Sequence, residues 1–179
     1  MNLKLEARYL QLEKSRNKLL NELSKLDDTL LNTAPEPGKW SINQIVAHLV
    51  LTDEVTVNYI QRKMQQPEKL QTSTLTNTIK SLLLKFVLKS WIKFKAPAVV
   101  AAVPETASLP ALSKQWDSIR FRLEDVLTEL PEAALDKCPF KHPAAGPLTI
   151  LQTLTFLQDH FHHHQQQIQQ LKKRLLVKA

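Results

Sequence analysis

Apolar residues recur at three- and four-residue spacing in two long stretches of the chain, and this spacing predicts amphipathic helices. The first stripe has Arg16 in one of its gaps. Its apolar members are Tyr9, Leu12, Leu19, Leu23, Leu26 and Leu30. The second stripe is uninterrupted and contains Leu112, Trp116, Ile119, Leu123, Val126, Leu127 and Leu130. No useful length of chain alternates with a period of two, so the pattern predicts no β-strands.

The prolines divide the chain, and none interrupts a periodic run. Because proline removes a backbone donor and clashes with the preceding helical turn, helices are expected in the stretches between prolines. These stretches have room for four helices of roughly 20–30 residues. The pattern therefore predicts an all-α protein, with residues 1–179 forming a single four-helix-bundle domain. The prolines are Pro35, Pro37, Pro67, Pro97, Pro104, Pro110, Pro131, Pro139, Pro143 and Pro147.

Two helix starts can be predicted from local sequence. In "GKWSINQIVAHL", Ser41 is the expected N-cap, and Gln44 three residues later completes a capping box. In "GPLTILQTL", Pro147 stands at a plausible first helical position. A fixed start matters because it sets the rotation of every side chain that follows it along the helix.

The stretch "DHFHHHQQQI" contains four of the six histidines. On a helix, His160 and His164 lie about 40° apart on a mostly apolar face, which predicts that both point into the bundle. His163 falls at the edge of that face, and His162 points away from it. His48, in "SINQIVAHLVLTDE", shares an apolar stripe and is also expected to face inward.

Two imidazoles one helical turn apart can bind the same metal ion, and an inward His48 would supply a third ligand. Three neutral imidazoles with an open coordination position are typical of catalytic metal sites. The alternative is a polar bias of composition, since glutamines follow the histidines directly. The residues between His160 and His164 include no carboxylate, which argues against a metallopeptidase of the H-E-x-x-H type.

Two further residues are weak candidates for a substrate pocket. Gln167 lies on the same face as His160 and could orient a bound water or substrate, although a packing hydrogen bond within the bundle would explain it equally well. Tyr59 shares the stripe of His48 and could line the pocket wall. Cys138, in the loop "DKCPFKHP", has no predicted basic partner that would make it a nucleophile, so no catalytic role is expected for it. His142 belongs to the same loop, where a surface position is expected.

Composition and charge restrict the class of protein. At 43% hydrophobic and 23% charged, the chain has the composition of a soluble globular protein. The single cysteine excludes an internal disulfide, and the charged start "MNLKLEARYLQLEKSRNK" does not have the apolar core of a signal peptide, so a cytoplasmic location is expected. The net charge of +7 favours polyanions, but no stacking platform or helix-turn-helix spacing supports nucleic-acid binding.

The segments "GKWSINQIVAHLVLTDE" and "HPAAGPLTILQTLTFLQDHFHHHQQQI" together resemble the DinB-like superfamily, which includes proteins of the YfiT type that are grouped as metal-dependent hydrolases. The resemblance covers most of the chain in order. It consists of W-S before a helix that contains H-L, G-x-L-T at the start of the last helix, and H-x-x-x-H-x-x-Q-I within that helix. The matching residues are Trp40, Ser41, His48, Gly146, Thr149, His160, His164, Gln167 and Ile168.

The resemblance implies a four-helix bundle with up-down-down-up topology and a divalent ion, zinc or nickel, bound by His48, His160 and His164. It also implies a small-molecule substrate, often a homodimer, and either hydrolase activity or transfer and isomerisation reactions that use a low-molecular-weight thiol. The motifs identify a site and leave the substrate open.

The motifs do not cover the basic and apolar segment Thr76–Lys95, where an extra helical segment is expected in the crossover between the second and third bundle helices. Lys85, Lys89 and Lys93 repeat every four residues, with apolar residues including Trp91 and Ile92 around them. This pattern fits a lid helix whose lysines face solvent. It also leaves open a second function, a non-catalytic module that binds a membrane surface or partner protein through residues 80–95, although the lid helix is the preferred interpretation and membrane contact the less favoured one.

Overall fold

The computed structural model describes residues 1–89 and 98–178, and these residues form a predominantly helical structure with one small hairpin. The helices are α1 (Leu3–Leu23), α2 (Asp28–Asn32), α3 (Ile42–Met64), α4 (Leu75–Lys89), α5 (Ala98–Ala101), α6 (Leu109–Glu129) and α7 (Ile150–Lys178). The strands are β1 (Phe140–His142) and β2 (Gly146–Leu148). Two short 3-10 turns cover Pro67–Lys69 and Glu132–Ala134.

Helices α1, α3, α6 and α7 form the bundle. Helices α3 and α6 are parallel, because later residues of α3 contact later residues of α6. Asn43 of α3 contacts Ala107, just before α6 begins, and Asn58 of α3 contacts Arg122 of α6. The contacts between α1 and α7 also advance together, from Ser15 with Gln158 to Glu22 with Gln169.

The two parallel pairs run in opposite directions. Tyr9 of α1 contacts Arg120 and Glu124 of α6, whereas Arg16, two turns later, contacts the earlier Asp117. Helices α1 and α6 are therefore antiparallel. This arrangement confirms the predicted all-α four-helix bundle with up-down-down-up topology.

The predicted first stripe is divided between two helices. Tyr9, Leu12, Leu19 and Leu23 of α1 are buried in the common core, as the stripe predicted, and Leu5 is buried with them. The helix ends at Leu23, and α2 begins after Asp27, whose side chain accepts a hydrogen bond from the backbone amide of Thr29. Asp27 is a favourable N-cap, so a new helix starts there and the stripe changes direction before Leu30.

The start of α3 is the predicted one. The Ser41 hydroxyl accepts from the Gln44 amide at 3.2 Å, and the Gln44 side chain accepts from the Ser41 amide at 3.0 Å. Fixing this end of α3 fixes the direction in which His48 points, less than two turns later.

The start of α7 differs from the prediction. Pro147 lies in β2, paired with Lys141, and α7 begins three residues later at Ile150. Thr149 and Gln152 form a second capping box, with bonds of 3.2 and 3.0 Å. The absence of strands was also predicted wrongly, because β1 and β2 form an antiparallel hairpin. Strands of three residues are too short to produce a visible alternation, and a proline is tolerated in an edge strand.

Helix α4 is the extra helical segment that was predicted in the crossover, and it packs against α7 and β2. Lys93, Trp91 and Ile92 of the predicted basic segment lie outside the described residues, as do the side chains of Lys85 and Lys89. Within the part of the chain that is described, no helix has the length and apolarity needed to span a membrane.

Candidate metal centre

The three histidines predicted as ligands meet between α3 and α7. Nε2 of His160 lies 3.3 Å from Nε2 of His48 and 3.1 Å from Nε2 of His164. One donor atom from each ring lies within 4.8 Å of the others. We call His48, His160 and His164 the histidine cluster; among the described residues, this group of donors contains no carboxylate.

Hydrogen bonds on the outer side of two rings determine where their protons are. Nδ1 of His48 lies 2.7 Å from the carbonyl oxygen of Val100 in α5, and a carbonyl can only accept, so this nitrogen carries the proton. Nδ1 of His164 donates in the same way to Oε1 of Gln167 at 2.9 Å. In the neutral rings, Nε2 of both histidines is therefore a bare lone pair facing the centre of the cluster.

The lone pairs of His48 and His164 converge on Nε2 of His160, and a set of imidazole nitrogens arranged in this way can bind one cation. Two nitrogens bound to one tetrahedral zinc ion at the usual distance are separated by roughly 3.3 Å. The Nε2 separations of 3.1 and 3.3 Å match this value. The donor set and its spacing thus fit a divalent metal ion.

Burial keeps the three rings neutral at physiological pH. Desolvation lowers the pKa of His48, and it lowers the pKa of His164 to about 3 with a further contribution from His48. The pKa of His160 is well below its ordinary value, first through burial and then through the neighbouring histidines. Only a neutral imidazole can bind a metal ion, so the cluster is ready for binding at pH 7.

The cluster is not fully enclosed. His48 is 2% exposed and His164 is 8% exposed, whereas the side chain of His160 is only partly buried. Trp40 covers His48, with 5.2 Å between the ring centroids. Access for a substrate is therefore possible from the side of His160.

Of the two pocket candidates, Gln167 contacts a ring of the cluster and Tyr59 packs farther along α3. Gln167 is behind His164, where its Oε1 accepts from His164 and its Nε2 donates to Nε2 of His163 at 3.0 Å. It orients a ring of the cluster. The ring of Tyr59 packs edge-on against Phe140 at 5.6 Å, three turns along α3 from His48, and the structure brings it into no contact with the cluster among the described residues.

The other two histidines of the polar run follow the prediction. His162 is exposed, and its Nε2 accepts from the side chain of Gln158 at 2.8 Å. His163 is partly buried at the edge of the inner face and interacts with Gln167.

His142 was expected to be a surface residue, and the structure places it near the cluster. The ring is partly buried in β1 and packs edge-on against Phe156 at 4.6 Å, and Phe156 lies 5.6 Å from His160. Burial lowers the pKa of His142 to about 4. Its Nδ1 accepts from the amides of Ala144 and Ala145, each at 3.1 Å, so in the neutral ring the proton is on Nε2.

One signal in the sequence could have identified His142. It directly precedes the tight turn "PAAG" at the start of the last helical segment, and a histidine there can accept from the backbone amides of the turn. Gly146 has φ +76°, the conformation that such a turn requires.

Asp53, which is one turn beyond His48 on α3, takes no part in the cluster. Its carboxylate pairs with Arg120 of α6 at 2.8 Å and accepts from Nε1 of Trp116 at 2.5 Å. A carboxylate held in this way is unavailable as a proton acceptor for chemistry at the histidines.

Comparison with known proteins identifies the family. Residues 11–168 match the family model of the DinB superfamily. A "Putative metal-dependent hydrolase" from Bacillus mycoides is 28% identical over 168 residues, covering 92% of this chain and 83% of that protein. The uncharacterized protein YuaE of Bacillus subtilis is 23% identical over 155 residues, covering 87% of this chain and 91% of that protein.

A solved structure has the same fold. It is described as "YfiT from Bacillus subtilis is a probable metal-dependent hydrolase with an unusual four-helix bundle topology". The match has a TM-score of 0.60 and 18% identity, and it covers 97% of this chain and 89% of that one.

Proposed function

Because the chain belongs to the DinB superfamily, we propose that it is a metal-dependent hydrolase of a small molecule, with zinc or nickel bound by His48, His160 and His164. The convergence of three Nε2 atoms from two helices is the observation that carries this proposal. The names of the relatives as metal-dependent hydrolases support it.

A divalent ion held by three neutral imidazoles acts as a Lewis acid, which polarises a substrate and lowers the pKa of a water or thiol that it binds. The protein's own groups prepare the site for this chemistry. The Val100 carbonyl and Gln167 orient His48 and His164, and hydrogen bonds of this kind also make the ligating nitrogen more basic.

We propose that His142 contacts the substrate. Its ring lies within about 10 Å of His160 by way of Phe156, which is a distance that a small substrate can span. With Nδ1 occupied by the turn, Nε2–H is the free donor of this ring, and it can hold or deliver a hydrogen bond to a polar group of the substrate.

A thiol-dependent transferase is the second candidate. The three ligands are neutral, so they leave the full charge of the ion available to stabilise a thiolate, and the cluster includes no carboxylate that could serve as a base for water. The two functions differ in a measurable way: a transferase needs an added low-molecular-weight thiol for turnover, and a hydrolase does not.

The metal site is tested by elemental analysis of the purified protein after incubation with zinc or nickel. We expect about one ion per chain in the wild type and almost none in His48→Ala, because two ligands seldom hold an ion. His162→Ala is the matched control, since that imidazole is exposed on the same helix as two of the ligands, and it should bind as the wild type does. A wild-type protein that takes up neither metal would overturn the proposal.

A cytoplasmic location and a homodimer remain predictions, the first from the N-terminal composition and the second from the resemblance.

A further inference from the structure

Helix α4 has its apolar side facing outward. Its inner face contains the partly buried Asn77, Ser81 and Leu84, two of which are polar. The outer face contains five large apolar residues with high exposed fractions, namely Leu75 at 85%, Ile79 at 59%, Leu82 at 52%, Leu83 at 58% and Phe86 at 72%.

These five residues form one continuous stripe. At 100° per residue they fall within about 100° of the helix circumference, which is the width of the apolar face of an amphipathic helix. A stripe of this size on an ordinary soluble helix would face the core. Here it faces away from the bundle, since α4 contacts α7 and β2 through its other side.

The charge along the sequence of this segment is of one sign. From residue 75 to residue 95 the sequence has no acidic residue, and its lysines are Lys80, Lys85, Lys89, Lys93 and Lys95. The nearest acidic residues along the chain are Glu68 and Glu105. A partner for this segment must therefore offer an apolar layer together with negative charge.

We propose that the outer face of α4 docks onto an anionic lipid surface. Interfacial helices combine a large apolar face with lysines that reach the headgroups, and each lysine near an anionic membrane strengthens binding. A second copy of this chain is a less suitable partner. In a two-fold contact the lysines of the two copies would face and repel each other, because the segment has no acidic residue to pair with them.

Docking through α4 would also place the candidate site near the membrane. Helix α4 packs on α7, which carries His160 and His164, and on β2, which pairs with the strand of His142. This inference does not depend on the identity of the reaction.

Co-sedimentation with phosphatidylglycerol vesicles and with phosphatidylcholine vesicles tests the proposal. We expect binding to the anionic vesicles, much weaker binding to the zwitterionic ones, and loss of binding as sodium chloride is raised, because salt screens the lysines. Failure to bind phosphatidylglycerol at low salt would overturn the proposal, and so would equal binding to both lipids without any effect of salt.

Two variants separate the stripe from other exposed apolar residues. Phe86→Ser should weaken vesicle binding by about tenfold or more, because a large apolar side chain no longer enters the lipid. Phe121→Ser is the control, since Phe121 is 65% exposed on α6, and it should bind as the wild type does. Equal binding by the two variants would contradict the proposal.

Sedimentation velocity, performed without lipid, tests the alternative occupant. A dimer that Phe86→Ser dissociates and Phe121→Ser does not would mean that the stripe is buried between two copies, which would also overturn lipid docking. Both positions are exposed, so the variants should keep the wild-type circular dichroism, and the lipid and salt series on the wild type remains decisive without them.

Discussion

The bundle interior has two polar clusters that begin only five residues apart on α3, and they are opposite in kind. The histidine cluster around His48 brings together three neutral rings whose Nε2 atoms face each other. The ion-pair network around Asp53 brings together charges of both signs. We define the network as Glu13, Arg16, Asp53, Asp117 and Arg120.

The difference between them is the balance of charge among the buried groups, since the network sets the buried Arg16 and Arg120 against Glu13 and Asp53. In the network, Arg120 lies 2.8 Å from Asp53 and Arg16 lies 2.8 Å from Glu13, so the charges compensate each other within the protein. In the histidine cluster the rings are neutral, and His48 and His164 point the lone pairs of their Nε2 atoms at the centre, which is a donor set that a cation can bind. A buried polar cluster that the chain balances by itself stabilises the fold, whereas one that it leaves unbalanced is a binding site.

The largest effect is expected from breaking the network. Arg120→Met leaves the buried carboxylate of Asp53 without its cation, so the free energy of unfolding should fall by about 3–5 kcal/mol while metal binding is retained. Urea denaturation and elemental analysis measure the two quantities. Arg122→Met is the control, because the contacts of Arg122 with Glu54 at 3.9 Å and with Asn58 at 2.6 Å lie at a partly exposed position, and it should cost less than about 1 kcal/mol. Equal losses in both variants would show that the network is not the stabilising element.

The second-largest effect is expected from the hydrogen bond by which Gln167 orients His164. Gln167→Leu removes the acceptor of the His164 Nδ1–H, so metal affinity should fall about 10- to 100-fold with little change in the free energy of unfolding of the metal-free protein. Competition with a chelator measures the affinity. Gln166→Leu, at an exposed neighbouring position, should bind metal normally. An unchanged affinity in Gln167→Leu would assign that side chain to packing alone.

The clusters should also differ in their response to acid. The folded protein holds His164 with its pKa near 3 and also lowers the pKa of His48 and His160, so below pH 6.5 the unfolded chain binds more protons than the folded one. The stability of the metal-free protein should therefore be complete above about pH 6.5 and fall as the pH drops towards 3, by up to about 1.4 kcal/mol per pH unit for each histidine.

Urea denaturation from pH 7.5 to pH 4, with a chelator present, measures this slope. His164→Gln should reduce the slope, whereas His162→Gln should leave it unchanged because His162 is exposed. A slope that is the same in the wild type and in His164→Gln would contradict the assignment of acid sensitivity to the cluster.

The smallest effect is expected at His142, where two roles can be separated. In His142→Asn, the side-chain oxygen can still accept from the amides of Ala144 and Ala145, but the Nε2–H is lost. We expect wild-type stability and an affinity about 2- to 10-fold lower for a small thiol, measured by visible absorption of the cobalt-substituted protein. His142→Gln should show the reverse, with lower stability and the thiol affinity retained. If Asn matches the wild type in both measurements, His142 acts only in the turn.

Local sequence predicted the parts of the fold that depend on neighbours along the chain. The capping box at Ser41, the long helices and the inward direction of His48, His160 and His164 follow from spacing and helix geometry alone. The hairpin was missed because three-residue strands show no periodicity, and Pro147 was assigned to α7 because proline is equally suitable at the start of a helix.

The pairing of charges could not be predicted in the same way. Asp53 and Arg120 are distant in sequence, and their contact depends on the parallel packing of α3 with α6. Gln167 and Tyr59 were both placed on inward faces by helix geometry, yet only the packing shows that one lies behind His164 and the other against Phe140.

By itself, the sequence determined the helices, their inward faces and the identity of three imidazoles that could share an ion, because each of these follows from the repeat of a single helix. The tertiary structure alone decided that Nε2 of His160 lies 3.3 Å from that of His48 and 3.1 Å from that of His164, that Asp53 is neutralised by Arg120, and that His142 lies beside the site. The physical reason is that the rotation and offset of one helix against another are set by packing between distant residues, which no local spacing records.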